Sequence, residues 1–102
     1  MGFEVEKGTY RIYATYVNGP SSYQTGGFEV EFPHLVQIIS AVGAIVDDNT
    51  AYKVGVSVNG NKVIVKVYEL KADTSTGAIS ASEVAAGTDL SNLTFGILAI
   101  GK

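Results

Sequence analysis

Residues 51–70 read AYKVGVSVNGNKVIVKVYEL, two alternating apolar runs joined by Asn59-Gly60. Asn and Gly tolerate the positive φ angles of a two-residue type I′ turn, and that turn's twist matches the twist of paired strands. The stretch is therefore a β-hairpin. A turn at Asn59-Gly60 sets Val56 opposite Val63, Val54 opposite Val65 and Tyr52 opposite Val67. That face is almost wholly β-branched or aromatic, as a core-facing ladder requires. The other face pairs Ser57 with Lys62 and Lys53 with Lys66, broken by Ile64 and Tyr68. Two apolar residues on a polar face are candidates for contact with another subunit.

Further strands flank the hairpin. Phe3–Lys7 alternates as a half-buried strand does, and Thr9–Val17 is rich in β-branched and aromatic residues. One face of that second segment carries Tyr10, Ile12, Ala14 and Tyr16; the other carries Thr9, Arg11, Tyr13, Thr15 and Val17. Phe28–Phe32 alternates again, with Phe28, Val30 and Phe32 inward and Glu29 and Glu31 outward, and Pro33 stops it. Leu35–Val46 and Leu93–Ile100 are apolar on both faces, the pattern of strands buried on both sides, or in the first case of a strand kinked at Gly43. The echo of GFEVE at residues 2–6 and 27–31 stops after five residues, so it reads as coincidence rather than duplication.

Residues 71–92 form a long polar loop before the last strand. Ser80–Glu83 has capping-box spacing, and Ile79, Val84 and Leu90 can pin the loop down, so it is expected to be a packed excursion with one helical turn or a short strand. About seven strands with no sustained helical period predict an all-β fold. A single domain over residues 1–102 is expected, a small antiparallel β-sandwich or jelly-roll-like fold.

Composition bears on function. Charged residues are 17% of the chain, against a usual value of about 25%. A small domain has much surface for its volume and should need more charge, so part of this surface is expected to face protein. An oligomer or a unit of a larger assembly follows. A net charge of −3 with seven scattered Lys and Arg argues against nucleic acid. There is no cysteine for a disulfide or thiolate site. No basic-then-apolar leader opens the chain, and no apolar run is long enough for a membrane-spanning helix, so neither signal peptide nor membrane insertion is expected.

Catalytic signatures are weak. His34 is the single histidine, placed at a strand boundary, and no serine sits in a nucleophile-elbow motif. Asp47-Asp48-Asn49 lacks the spacing of a calcium loop and reads as a turn; Glu4, Glu6, Glu29 and Glu31 read as solvent-facing strand surfaces. No enzyme activity, cofactor or metal is expected. Six tyrosines with no tryptophan are more informative. Tyr10, Tyr13, Tyr16 and Tyr23 crowd the N-terminal quarter, and tyrosine serves equally in protein interfaces and under sugar rings.

The run GGFEVEFPHLVQIISAV, the hairpin VSVNGNKVIVKVYEL and the ending GTDLSNLTFGILAIGK together resemble the small β-sandwich modules of tailed phages and related viruses. These are head decoration proteins and tail-fibre tips, similar in layout to H-type lectin domains. The matching features are the Phe28–Phe32 strand, the Val54–Tyr68 hairpin and an aromatic-containing last strand closing on Ala99-Ile100-Gly101; residues 1–25 lie outside the resemblance. It implies a trimer that contacts other virion proteins, made in the host cytoplasm and located on the virion. The lectin-like branch implies binding to host-surface glycans as the alternative.

Overall fold

Alternation with period two dominates the chain, and strands are what it forms. The computed structural model describes residues 10–47 and 51–102. Its strands are β1 (Arg11–Asn18), β2 (Phe28–Glu31), β3 (Ile38–Ile45), β4 (Tyr52–Asn59), β5 (Lys62–Ala72), β6 (Ile79–Glu83) and β7 (Thr94–Gly101). They make two antiparallel sheets, one ordered β1-β7-β3 and the other β2-β5-β4, with β6 also on β5. The expected small β-sandwich is the observed fold. The expected strand Phe3–Lys7 lies outside the described residues, as do Asp48–Thr50.

The hairpin forms, one step out of the expected register. Asn59 pairs with Lys62, so the turn is Gly60-Asn61, with Gly60 at φ 65°. Val58 therefore faces Val63, Val56 faces Val65, and Val54 faces Val67, while Tyr52 faces Glu69. On the outer side Ser57 pairs with Ile64, Gly55 with Lys66 and Lys53 with Tyr68. Moving the turn by one residue changes each partner by two, and a shift of two leaves every side chain on its original face. The core assignment survives for that reason: Val63, Val65 and Val67 are fully buried, and Tyr52, Val54 and Val56 pack against them.

Strand β5 is the axis of its sheet. β4 runs along one edge, while β2 and β6 pair with successive lengths of the other. From the facing sheet Phe95, Ile97 and Ala99 of β7 point inward, and Phe28 meets Phe95 edge-on at 5.3 Å. Leu35, Val84 and Leu90 close the core from the loops.

Two expectations are settled by the packing. Of the two alternatives for the 71–92 segment, the short strand forms, as β6, and Ser80–Glu83 lies in it rather than opening a helical turn. Ile79 does not pin the loop: it is 74% exposed near the end of a β5–β6 arm, whereas Val84 and Leu90 are buried as expected. The apolar strands β3 and β7 are not buried on both sides. Only their inner faces are covered, since a two-layer sandwich has no third layer to cover an outer one.

Candidate functional site

The two outer faces differ in chemistry. The three eight-residue strands of the β1-β7-β3 sheet carry one charged residue, Arg11, at the start of β1. The strands of the other sheet carry Glu29, Glu31, Lys53, Lys62, Lys66, Glu69, Lys71 and Glu83. Burial alternates along β7 so that Gly96, Leu98 and Ile100 point outward, in register with Tyr16, Ala14 and Ile12 on one side and Ala44, Val42 and Ser40 on the other. Tyr16 is 72% exposed, Val42 60% and Val46 57%. At the centre the Tyr16 ring and Val46 approach Gly96 from opposite sides, each 3.3 Å from where a Cβ would sit. A groove of about 330 Å³ runs here, lined by Ala14, Tyr16, Val42, Ala44, Gly96 and Leu98 among others. Among the described residues charge returns only at the ends: Lys102 holds its ammonium 5.5 Å from the Tyr10 ring centroid, and Asp47 accepts the Thr94 N–H.

The six residues singled out from the sequence are dispersed. Tyr16 is on the uncharged face and Tyr10 at its end. Tyr13 points the other way, packs against the core and stacks on His34 at 5.6 Å. This pair lines a second cleft of about 230 Å³ with Ala14, Thr15, Glu31 and Phe32. Ile64 and Tyr68 are half-buried on the charged sheet, Ile64 between Glu29 and Ser57 and Tyr68 between Lys53 and Glu83. The residues that sequence reasoning passed over are Val42, Val46, Leu98 and Ile100. Their signal was present, in runs apolar on both faces within a chain too short for three layers.

Tyr23 is a correction: it is a core residue, 1% exposed, and unavailable to a partner. Its hydroxyl accepts the Val67 N–H at 3.2 Å and donates to Glu83 Oε2 at 2.6 Å, and the same carboxylate oxygen accepts the Gly26 N–H at 2.8 Å. The hydroxyl thus fills the gap on β5 between the start of β2, where Phe28 pairs with Val65, and the end of β6, where Glu83 pairs with Tyr68. Burial first, then the bond to Glu83, pushes the Tyr23 pKa from 10.0 up to about 12. The Tyr23 hydroxyl first, then the Gly26 N–H, holds Glu83 below its ordinary 4.5. Asp73 and Asp89 are lowered likewise by the hydroxyl and N–H of Ser75 and Ser91. A raised phenol contributes stability in full below pH 10 and loses it as pH climbs towards 12. Depressed carboxylates contribute above their ordinary values and lose it as pH falls below them. Denaturant unfolding over a pH series is expected to show a plateau with a fall on each side. In Tyr23→Phe the alkaline fall should be shallower; an unchanged alkaline limb would remove Tyr23 as its source.

Among the described residues no group of three or more His, Asp or Glu side chains is placed to hold a metal ion. No helix among them is long and apolar enough to cross a membrane. No known protein family, curated protein or solved structure matches the chain.

Proposed function

We propose that the protein is a non-enzymatic structural component of a larger assembly, associating with copies of itself and with neighbouring proteins by burying the outer face of the β1-β7-β3 sheet. Decoration of a capsid or capping of an appendage, on a virion assembled in the host cytoplasm, is the setting its sequence resemblance implies, with three copies as the implied number. The observation that supports the reading is that the strands of the β1-β7-β3 sheet carry a single charge, Arg11 at one end, while the other sheet carries eight. An antiparallel sheet that faces water normally alternates apolar-in with polar-out. A contiguous apolar face is the mark of a protein contact. Nothing in the reading requires a reaction: rigidity and a dry surface suffice for cementing.

Sedimentation tests it. The wild-type chain is expected to associate, and Val42→Lys to weaken association at least about tenfold, equivalent to roughly 1.4 kcal/mol. Val42 is already exposed, so the monomer should tolerate the lysine. Ser57→Lys on the charged sheet should associate normally. Equal behaviour of the two variants would sink the proposal.

Glycan binding is the second reading, favoured by the exposed Tyr16 ring beside the groove. Sugar sites pair a stacking ring with convergent polar groups. The lining of this groove is Ala, Val, Gly, Leu and Ile apart from Thr15 and the Tyr16 ring. A glycan array with a reproducible hit that Tyr16→Ala abolishes would reverse the order of the two.

A further inference from the structure

We infer that β1 is a strand-addition edge and that a second copy of this chain fills it, β1 pairing antiparallel with β1 across a two-fold axis. This rests on the assembly reading but on a separate observation. Among the described residues β1 is an edge strand, paired with β7 alone in unbroken register from Arg11 to Asn18, and its sequence RIYATYVN holds no proline, no bulge and no charge after Arg11. Edges that stay single carry such devices. The other edges here have them: β2 carries Glu29 and Glu31 and gives way to Pro33, β4 carries Lys53, β6 ends at Glu83, and β3 has a register break between Ile38 and Ser40.

The hydrogen-bond parity is fixed by two bonds. Gly19 N–H donates to Leu93 O at 3.0 Å, continuing the β1–β7 register, and Val46 N–H donates to Thr94 O at 2.8 Å, continuing β3–β7. Odd-numbered β7 residues therefore bond to β1 and even-numbered ones to β3. On β1 the backbone groups of Arg11, Tyr13, Thr15 and Val17 face β7, and those of Ile12, Ala14, Tyr16 and Asn18 face outward. A cleft of about 230 Å³ lies beside Ala14, between β1 and the Glu31–His34 segment.

A second copy is the occupant that fits. Pairing Ala14 with the partner's Tyr16, and Ile12 with the partner's Asn18, engages all four outward residues on both chains and sets the large ring beside the small side chain. The dyad then falls at Thr15. Arg11 and Lys102 lie at one end of the sheet and Asp47 at the other, so antiparallel copies bring the basic end of each towards the acidic end of its partner. The pairing also joins the two uncharged faces into one. Eight residues at about 3.3 Å and three strands at about 4.8 Å give each sheet a flat footprint of roughly 380 Å². Two such sheets give roughly 760 Å², close to the ~800 Å² that each side of a standard interface buries. One sheet alone falls short.

Native mass and crosslinking test this in the full chain. The wild type should contain an even number of copies, two, or six if the implied threefold contact coexists. Ala14→Pro removes an outward N–H without touching the β7 ladder and should lose the dimer while keeping the β-sheet circular-dichroism spectrum. In case that variant fails to fold, Thr15→Cys provides an independent readout. Residue 15 meets itself at the dyad as a non-hydrogen-bonded pair, with Cα atoms about 4.5 Å apart and within disulfide range. The chain has no other cysteine, so oxidation should give a covalent dimer, whereas Ser57→Cys should not. A monomer at hundreds of micromolar, an association that Ala14→Pro leaves intact, or equal crosslinking at positions 15 and 57 overturns the inference. If Val42→Lys still disrupts association while Ala14→Pro does not, the edge contact falls and the assembly reading stands.

Discussion

Replacing Tyr23 by phenylalanine is expected to cost the fold about 1–3 kcal/mol, a fall in Tm of the order of 10 °C for a domain of this size. The ring remains, so the apolar burial is nearly unchanged and the loss isolates the hydroxyl. What suffers first is the Val67 N–H. Val67 is fully buried, and its stretch of β5 lies between the reach of β2 and that of β6, so the hydroxyl stands in for a neighbouring strand. Without it a buried donor has neither protein nor water. Glu83 also loses its hydroxyl donor and keeps the Gly26 N–H. Equilibrium unfolding in denaturant measures the difference. A loss below about 0.5 kcal/mol, the range of ordinary surface substitutions, would mean that the hydroxyl is not the bridge described.

The second large effect is expected at Gly27, where alanine should cost about 3 kcal/mol or more. Gly27 has φ 99°, a left-handed conformation that side chains resist. Its missing Cβ points at the Val65 carbonyl, with the Val65 carbon 2.9 Å and Lys66 Cγ 3.1 Å away. Backbone cannot step aside as a flexible side chain would, so relief requires lifting the start of β2 off β5. Gly26 is the internal control. It has φ 101° and nothing within 4 Å of where a Cβ would sit, so Gly26→Ala carries the conformational cost alone, about 1 kcal/mol. The gap between the two variants in thermal or denaturant unfolding reads the collision directly. Equal losses would show that φ, not contact with β5, sets the cost.

How far the sequence could be read follows from the range of the interactions involved. The Val54–Val67 ladder was legible because alternation and turn chemistry are local, and its faces held even though the turn sits at Gly60-Asn61. Register is less secure: Asn59 and Asn61 flank Gly60 almost symmetrically, and local propensity cannot choose between them. Ser80–Glu83 misled because a capping box and a strand end share residue types, and Glu83 is claimed by Tyr23, a residue 60 positions away. Tyr23 itself was grouped with Tyr10, Tyr13 and Tyr16 by proximity in sequence, though only packing separates a core tyrosine from a surface one. Apolar outer residues such as Val42 and Leu98 were seen but assigned to burial, because hydropathy alone does not tell a covered face from one awaiting a partner.

The topology has a consequence for synthesis. β1 and β3 find their strand partner in β7, the last strand in chain order, whereas β4 and β5 are neighbours and can close as soon as both exist. A ribosome adds roughly 5–20 residues per second, so the most apolar strands wait on the order of several seconds for the segment that completes their sheet. Long-range pairing of this kind is also slow once the chain is whole. The nascent polypeptide therefore carries, for that interval, a finished hairpin beside two unsatisfied strands, and its window of exposure to wrong partners is set by translation speed rather than by native stability.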